Sequence, residues 1–183
     1  MKSLAFATVA LFALATAPAS ARTPEQVAEA ALKAAPVFDG HNDVPIQLRG
    51  RFGNVIGDFD FVDTTDTGPE HSSGRTMHTD LTRLRKGKVG AQFWSVYVSA
   101  DLSEPQAVQA TLEQIDVTRR LIARYPGDLQ FALTAKDVED SIKRGRIASL
   151  LGIEGGHSIG GSPGVLRQMY DPGARYMTPT PPK

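Results

Sequence analysis

The hexapeptide Phe38-Asp39-Gly40-His41-Asn42-Asp43 puts an imidazole and a carboxylate two residues apart, directly after a short apolar segment. Residues 36–39 read as a buried strand, and if the extended path continues, residues two apart project to the same side. His41 and Asp43 then aim at one point, where they could supply two ligands to a metal ion. The other reading is a loop, with Asp43 making a local turn hydrogen bond before Pro45 and His41 in water. A second candidate follows the apolar run 147–153, which ends in Glu154-Gly155-Gly156-His157. A carboxylate at the end of a buried strand is costly unless it is paired or metal-bound. Glu154 is thus a third ligand, a cap for the next helix, or a partner for Arg175. His157 reads as a loop residue or as support for a ligand. His71 and His78, in polar Ser- and Thr-rich sequence, read as surface residues.

These groups must be positioned by the elements around them. Thr23-Pro24-Glu25-Gln26 is a helix start with proline at the first helical position, and the alanine-rich helix runs to Pro36. Residues 47–74 read as a long irregular loop or two short strands, with 58–63 the alternating patch. Residues 79–87 form a short helix closing on glycine, and 89–98 a strand apolar on both faces, as in a parallel sheet between layers. Within it Trp94, Phe93 and Tyr97 are expected to be core. Ser103-Glu104-Pro105-Gln106 is a capping box opening a helix with Val108, Leu112, Ile115 and Ile122 at helical spacing. The unit repeats: strand 129–133, a helix capped by Thr134, strand 147–153, a helix opened by Ser162-Pro163 that carries Leu166, Met169 and Tyr170, and strand 174–178. Alternating strands and helices imply a parallel sheet, open or barrel-shaped. The C-terminal ends of its strands would bring His41, Asp43 and Glu154 to one rim.

Composition narrows the chemistry. Residues 1–21 have the basic start, apolar run and Ala19-Ser20-Ala21 site of a secretion signal, so the protein is expected to be exported, periplasmic or secreted. Subtracting these 21 residues from 183 leaves 162, enough for one domain. No later stretch is apolar for long enough to anchor the chain in a membrane. Lys plus Arg equal Asp plus Glu at 20 each, which argues against a nucleic-acid partner. With no cysteine, no thiolate serves as nucleophile or ligand, and a metal would be held by His and carboxylates, which suits zinc.

The blocks Phe38 to Asp43, Thr79-Asp80-Leu81 to Trp94-Ser95-Val96-Tyr97, and Gly152-Ile153-Glu154-Gly155-Gly156-His157 resemble the membrane (renal) dipeptidase family of zinc peptidases. The resemblance implies an α/β fold, a (β/α)8 TIM barrel with a two-zinc centre that hydrolyses dipeptides, some members accepting a D-residue or a β-lactam amide. It implies His41 and Asp43 on one zinc and Glu154 bridging both, the two ions activating a water. In the family the strand at 174–178 leads into a histidine that contacts substrate; here Pro181 stands in its place, so no catalytic set is complete. The histidines expected for the second zinc and a proton-shuttling aspartate are lacking too. A barrel takes roughly 250 residues, so residues 22–183 are expected to form the N-terminal part of one, an incomplete barrel of about five strands. At most one zinc and little turnover are expected of this chain alone. Two rivals stand beside this reading. One is a non-catalytic exported fragment or binding module with one weak metal position. The other is an amidohydrolase acting on cyclic amides, which would open with H-x-H rather than H-x-D.

Overall fold

The structure is a computed structural model and describes residues 21–67 and 76–180. Residues 1–20, which carry nearly all of the expected signal, lie outside it, as do His71 and Pro181. The element order is α1 (Pro24–Ala34), β1 (Val37–Asn42), α2 (Val44–Phe52), a 3-10 turn (Ile56–Asp58), α3 (Leu81–Lys86), β2 (Val89–Tyr97), α4 (Glu104–Arg124), β3 (Leu129–Phe131), α5 (Ala135–Lys143), β4 (Ile147–Glu154), a 3-10 turn (Gly156–Ile159), α6 (Pro163–Tyr170) and β5 (Ala174–Thr178). All five strands run parallel, so the fold is the α/β class expected and matches part of a barrel.

The strand order departs from the order in sequence. β2 pairs directly with β4, residues 91–97 facing 148–154. Ser149 has Gln92 on one side and Phe131 on the other, and Leu151 has Trp94 on one side and Ala174 on the other. β3 and β5 therefore lie end to end along the same edge of β4. β3 is only three residues long. It stops where the chain of β5 arrives, since a Cβ on Gly173 would lie 2.3 Å from the Phe131 ring.

The two faces of the sheet follow from the period of two. Ile147, Leu151 and Ile153 of β4 join Trp94 and Val96 of β2 in the main core, under Leu48 of α2, Leu84 of α3 and Val117 and Leu121 of α4. The opposite row starts with Ala148 and Leu150, which pack with Ala91 and, from α5, Val138. It continues through Gly152 to Glu154, so the carboxylate belongs to the face away from the main core. α4 uses the expected capping box of Ser103 and Gln106. Its buried stripe is Ala107, Thr111, Gln114, Ile115, Val117, Thr118, Leu121 and Ile122, whereas Leu112 points outward at 44 % exposure. On α6 Met169 is buried and Leu166 and Tyr170 are exposed.

The expected loop over 47–74 opens instead as α2, already under way at Val44. Val44, Leu48 and Phe52 are buried one turn apart, a spacing that a helix alone explains. The alternating patch after it is an extended strap outside the sheet, with Phe59 and Phe61 inside and Asp60 and Val62 outside. It is held by Tyr125, whose hydroxyl accepts from the Phe61 amide at 2.9 Å. It is also held by Asp80, the N-cap of α3. The buried Asp80 carboxylate accepts from the Thr64 and Arg83 amides at 3.1 and 2.7 Å and from the Arg83 Nε at 2.8 Å. Burial pushes this carboxyl up, but the bonds from Arg83 and Thr64 outweigh it and hold it below its ordinary value. The i,i+4 pairs Arg120–Asp116 and Lys136–Asp140 lie at the surface, where solvent screens them, and contribute little by comparison.

Asp80→Ala is expected to cost about 3 kcal/mol at neutral pH, since it orphans the buried Thr64 amide and breaks a charge-assisted pair. Because the folded carboxyl titrates below the unfolded one, its contribution is complete above about pH 4 and fades as pH falls through the folded value. Urea unfolding of wild type and variant at pH 7 and in acid should show the gap closing. An equal gap at both pH values would assign the loss to packing instead.

Candidate metal centre

β1 is longer than the sequence suggests and carries His41 within the strand. Asp43 then stands at the N-cap of α2, with φ −90° and ψ 15°, off the extended path. An aspartate at this position commonly spends its carboxylate on the helix amides. Here it makes no capping bond. Asn42 takes that role, its Oδ1 accepting from the Val44 amide at 3.2 Å. The Asp43 carboxylate is left to face His41, Oδ1 lying 3.2 Å from Nε2. The local-turn reading of Asp43 is thereby displaced by a contact with the imidazole.

Glu154 arrives from β4. Its Oε2 lies 3.3 Å from the same His41 Nε2, and its side chain is 15 % exposed. The buried Ser95 of β2 donates to Oε2 at 2.7 Å and holds the carboxylate in place. Arg175, the alternative partner, donates instead to the carbonyls of Leu133, Tyr170 and Ala174. Beyond Glu154 the backbone turns at Gly155, φ 102°, a conformation that costs a residue with a Cβ dearly. The turn lets the Gly155 amide bond to the Thr178 carbonyl at 3.1 Å, fastening the end of β4 to the end of β5.

One ligand-capable atom from each of His41, Asp43 and Glu154 lies within 4.8 Å of the other two. Two carboxylates and one imidazole converging on a point suit a divalent cation: three protein ligands with room for others is the pattern of an open site. Without a positive charge between them, the two carboxylates repel. The donor set fits a metal, and these three residues would hold it.

Around this cluster lie groups the sequence did not single out. Tyr176 of β5 extends across Gly152, where a Cβ would come within 2.0 Å of its ring. Its ring packs on Phe93, centroids 4.8 Å apart, and Phe93 on Phe38 at 5.9 Å. Phe93 is half-buried and packs both on the Tyr176 ring and against the smaller core, Tyr97 is half-buried, and Trp94 sits fully enclosed in the main core. The Tyr176 hydroxyl donates to the Gly40 carbonyl at 3.1 Å and lies 3.4 Å from His41 Nδ1. Burial, and then the charges of Glu154, Asp43 and Asp39, push its phenol above the ordinary value. A cavity of about 500 Å³ opens beside His41 and Asp43 and is lined also by Gln47, Arg51, Met77 and His78. His78, read from sequence as surface, is exposed but borders this cavity, brought there by the strap. His157 stands apart, its Nε2 donating to the Val98 carbonyl at 3.0 Å.

The family model for membrane dipeptidase (Peptidase family M19) matches residues 25–181. Similar solved structures include a metallo peptidase from Rhodobacter sphaeroides, bound to a phosphinate mimic of the dipeptide L-Ala-D-Ala, at 21% identity and TM-score 0.64, covering 80% of this chain and 46% of that one. Dipeptidase AC, an M19 metallo peptidase, is 23% identical with TM-score 0.63, covering 79% of this chain and 42% of that one. A probable dipeptidase from Pseudomonas aeruginosa is 13% identical with TM-score 0.57, covering 85% and 38%. At these identities the likeness speaks for the fold. The chain spans less than half the length of each of these structures.

Glu154→Gln separates a metal ligand from a structural partner of His41. With zinc at about a hundred times its dissociation constant, wild type should gain about 2.7 kcal/mol of stability, read as a rise in melting temperature, and the variant none. The metal-free variant should melt no lower than wild type, because one of two repelling charges is gone. A lower metal-free melting temperature with the zinc response intact would make Glu154 a structural partner only.

Proposed function

This chain belongs to the membrane dipeptidase family, Peptidase family M19, and from that premise we propose that its site serves zinc-dependent hydrolysis of the amide bond of dipeptides. The observation that carries the reading is the convergence of His41, Asp43 and Glu154 at the C-terminal ends of β1 and β4, the active end of parallel α/β folds. A zinc ion held by these three residues would supply Lewis acidity there, of the kind that can polarise a carbonyl and acidify water near neutral pH. Asp43 and Glu154 contribute the negative charge that holds the ion, His41 a neutral nitrogen, and Ser95 the hydrogen bond that keeps Glu154 aimed inward.

The adjoining cavity has the size and mixed polar and apolar lining suited to a dipeptide. The phosphinate mimic of L-Ala-D-Ala held by the Rhodobacter sphaeroides relative makes L-Ala-D-Ala the substrate to try first. We assign one zinc to the three-residue cluster and reserve two-metal catalysis for a site with a second ligand set. Among the described residues one group of three possible ligands is found. The 183-residue chain by itself is therefore assigned little turnover, and export rests on the leader-like residues 1–21. No helix among the described residues is long and apolar enough to cross a membrane. A binding module with a single weak metal position is the second reading, favoured by the same three-ligand complement.

Elemental analysis of the full chain after zinc loading is expected to give one equivalent, lost in His41→Ala. The phosphinate mimic should bind the loaded chain and not the chelated one, as measured by calorimetry. Absence of any zinc-dependent binding of the mimic would overturn the dipeptidase reading in favour of the binding module. Rapid cleavage of L-Ala-D-Ala, abolished by chelator, would overturn the one-ion assignment.

A further inference from the structure

We infer that Tyr176 is a positioning residue for the metal centre, its hydroxyl fixing which nitrogen of His41 carries the proton. The inference deepens the metal-site reading above and rests on it. The geometry is specific. β1 and β5 are separated by β2 and β4, a span longer than a tyrosine side chain in a flat sheet, so the Tyr176 hydroxyl meets β1 because the sheet curves toward the face that carries it. The absent side chain at Gly152 leaves room for the ring, and Phe93 packs against it. The phenol ends beside the irregular stretch of the β1–β2 ladder between Asp39 and Asn42. There it meets two acceptor-capable atoms, the Gly40 carbonyl oxygen at 3.1 Å and His41 Nδ1 at 3.4 Å.

A phenol has one proton to give and lone pairs to accept with. The carbonyl of Gly40 can only accept. With the Tyr176 proton on Gly40, the oxygen faces His41 Nδ1 as an acceptor, and the nitrogen that satisfies it is Nδ1–H. A neutral imidazole with its proton on Nδ1 has a bare lone pair on Nε2. That is the atom 3.2 Å from Asp43 and 3.3 Å from Glu154. The tautomer that Tyr176 selects is the one able to ligate a cation between the two carboxylates. In the metal-free chain the preference runs the other way, because Nε2–H would satisfy the carboxylates. Turning the hydroxyl proton toward Nδ1 would surrender the bond to Gly40, so Tyr176 weights the balance toward the Nδ1–H tautomer. Tyr176 thus contributes to metal affinity without touching the metal.

The test uses the full chain, labelled with ¹⁵N-histidine, and zinc as the probe. Tyr176→Phe keeps the ring and its contact with Phe93 and removes the oxygen. It is expected to weaken zinc binding about 10- to 100-fold, the usual effect of removing a partner of a ligating histidine. Affinity is read by competition with a chromophoric chelator, counting the zinc that His41→Ala loses. The metal-free melting temperature should stay close to that of wild type. In the zinc-loaded wild type the His41 spectrum should show Nδ1 protonated and Nε2 ligating. Gly152→Ala, which displaces the ring, should reproduce the weakened binding with the hydroxyl still present in the chain. Equal zinc affinity in wild type and Tyr176→Phe would overturn this inference and leave the metal site standing. Failure of wild type to bind zinc through His41 would overturn both.

Discussion

Two carboxylates are brought to one imidazole nitrogen against their mutual repulsion, and much of the local structure is explained by how that is done. Asn42 takes over the capping of α2, which frees Asp43. Ser95 holds Glu154 by one oxygen. The direct pairing of β2 with β4 makes this possible, since it sets Ser95 opposite Gly152 and Tyr97 opposite Glu154 on neighbouring strands. Had β3 run the length of β4 between them, Ser95 could not reach Glu154. The charge arrangement at the rim therefore depends on a pairing whose driving force lies in the opposite face, where Trp94, Val96, Leu151 and Ile153 are fully buried.

The sheet divides labour by parity. Odd positions of β4 from Ile147 supply the main core, and even positions carry a second, smaller core that gives way to polar chemistry by Glu154. The two halves of that second face differ in what covers them. Near the strand starts α5 packs Val138 against it. Beyond α5 the cover is the row Phe38, Phe93 and Tyr176, with Phe38 itself 54 % exposed. A site on such a surface draws its low polarity from aromatic rings rather than from a closed interior.

That His41, Asp43 and Glu154 converge could be read from the sequence because each sits where an apolar run ends, a place where a charge needs a reason. The parallel α/β class was legible for a similar cause: long alternations of apolar strand and capped helix have few other solutions. Strand order was not, since it depends on how long β3 is, and an apolar stretch from Leu129 to Leu133 gives no hint that Phe131 will be stopped by Gly173. α2 was hidden by Pro45 and Gly50, although the spacing of Val44, Leu48 and Phe52 was visible. His78 borders the cavity because the neighbouring Thr79 bonds to Asn42, 37 residues away, and Tyr176 joins the site by bonding to Gly40, 136 residues away. Nothing local marks such residues; Gly152 was the trace of Tyr176, and it is informative only once the ring above it is known.

β3 and β5 share one side of β4, head to tail. The length of each is therefore set by its neighbour and not by its own preference for extended structure. Two further residues of pairing in β3 would enter the place taken by Ala174, push β5 outward, and carry with it the bond from Gly155 to Thr178 that anchors the turn after Glu154. Evolution can lengthen the loops around these strands freely, yet growth of the shortest strand in the sheet would be felt some distance away, as a loss of aim in a carboxylate it never touches.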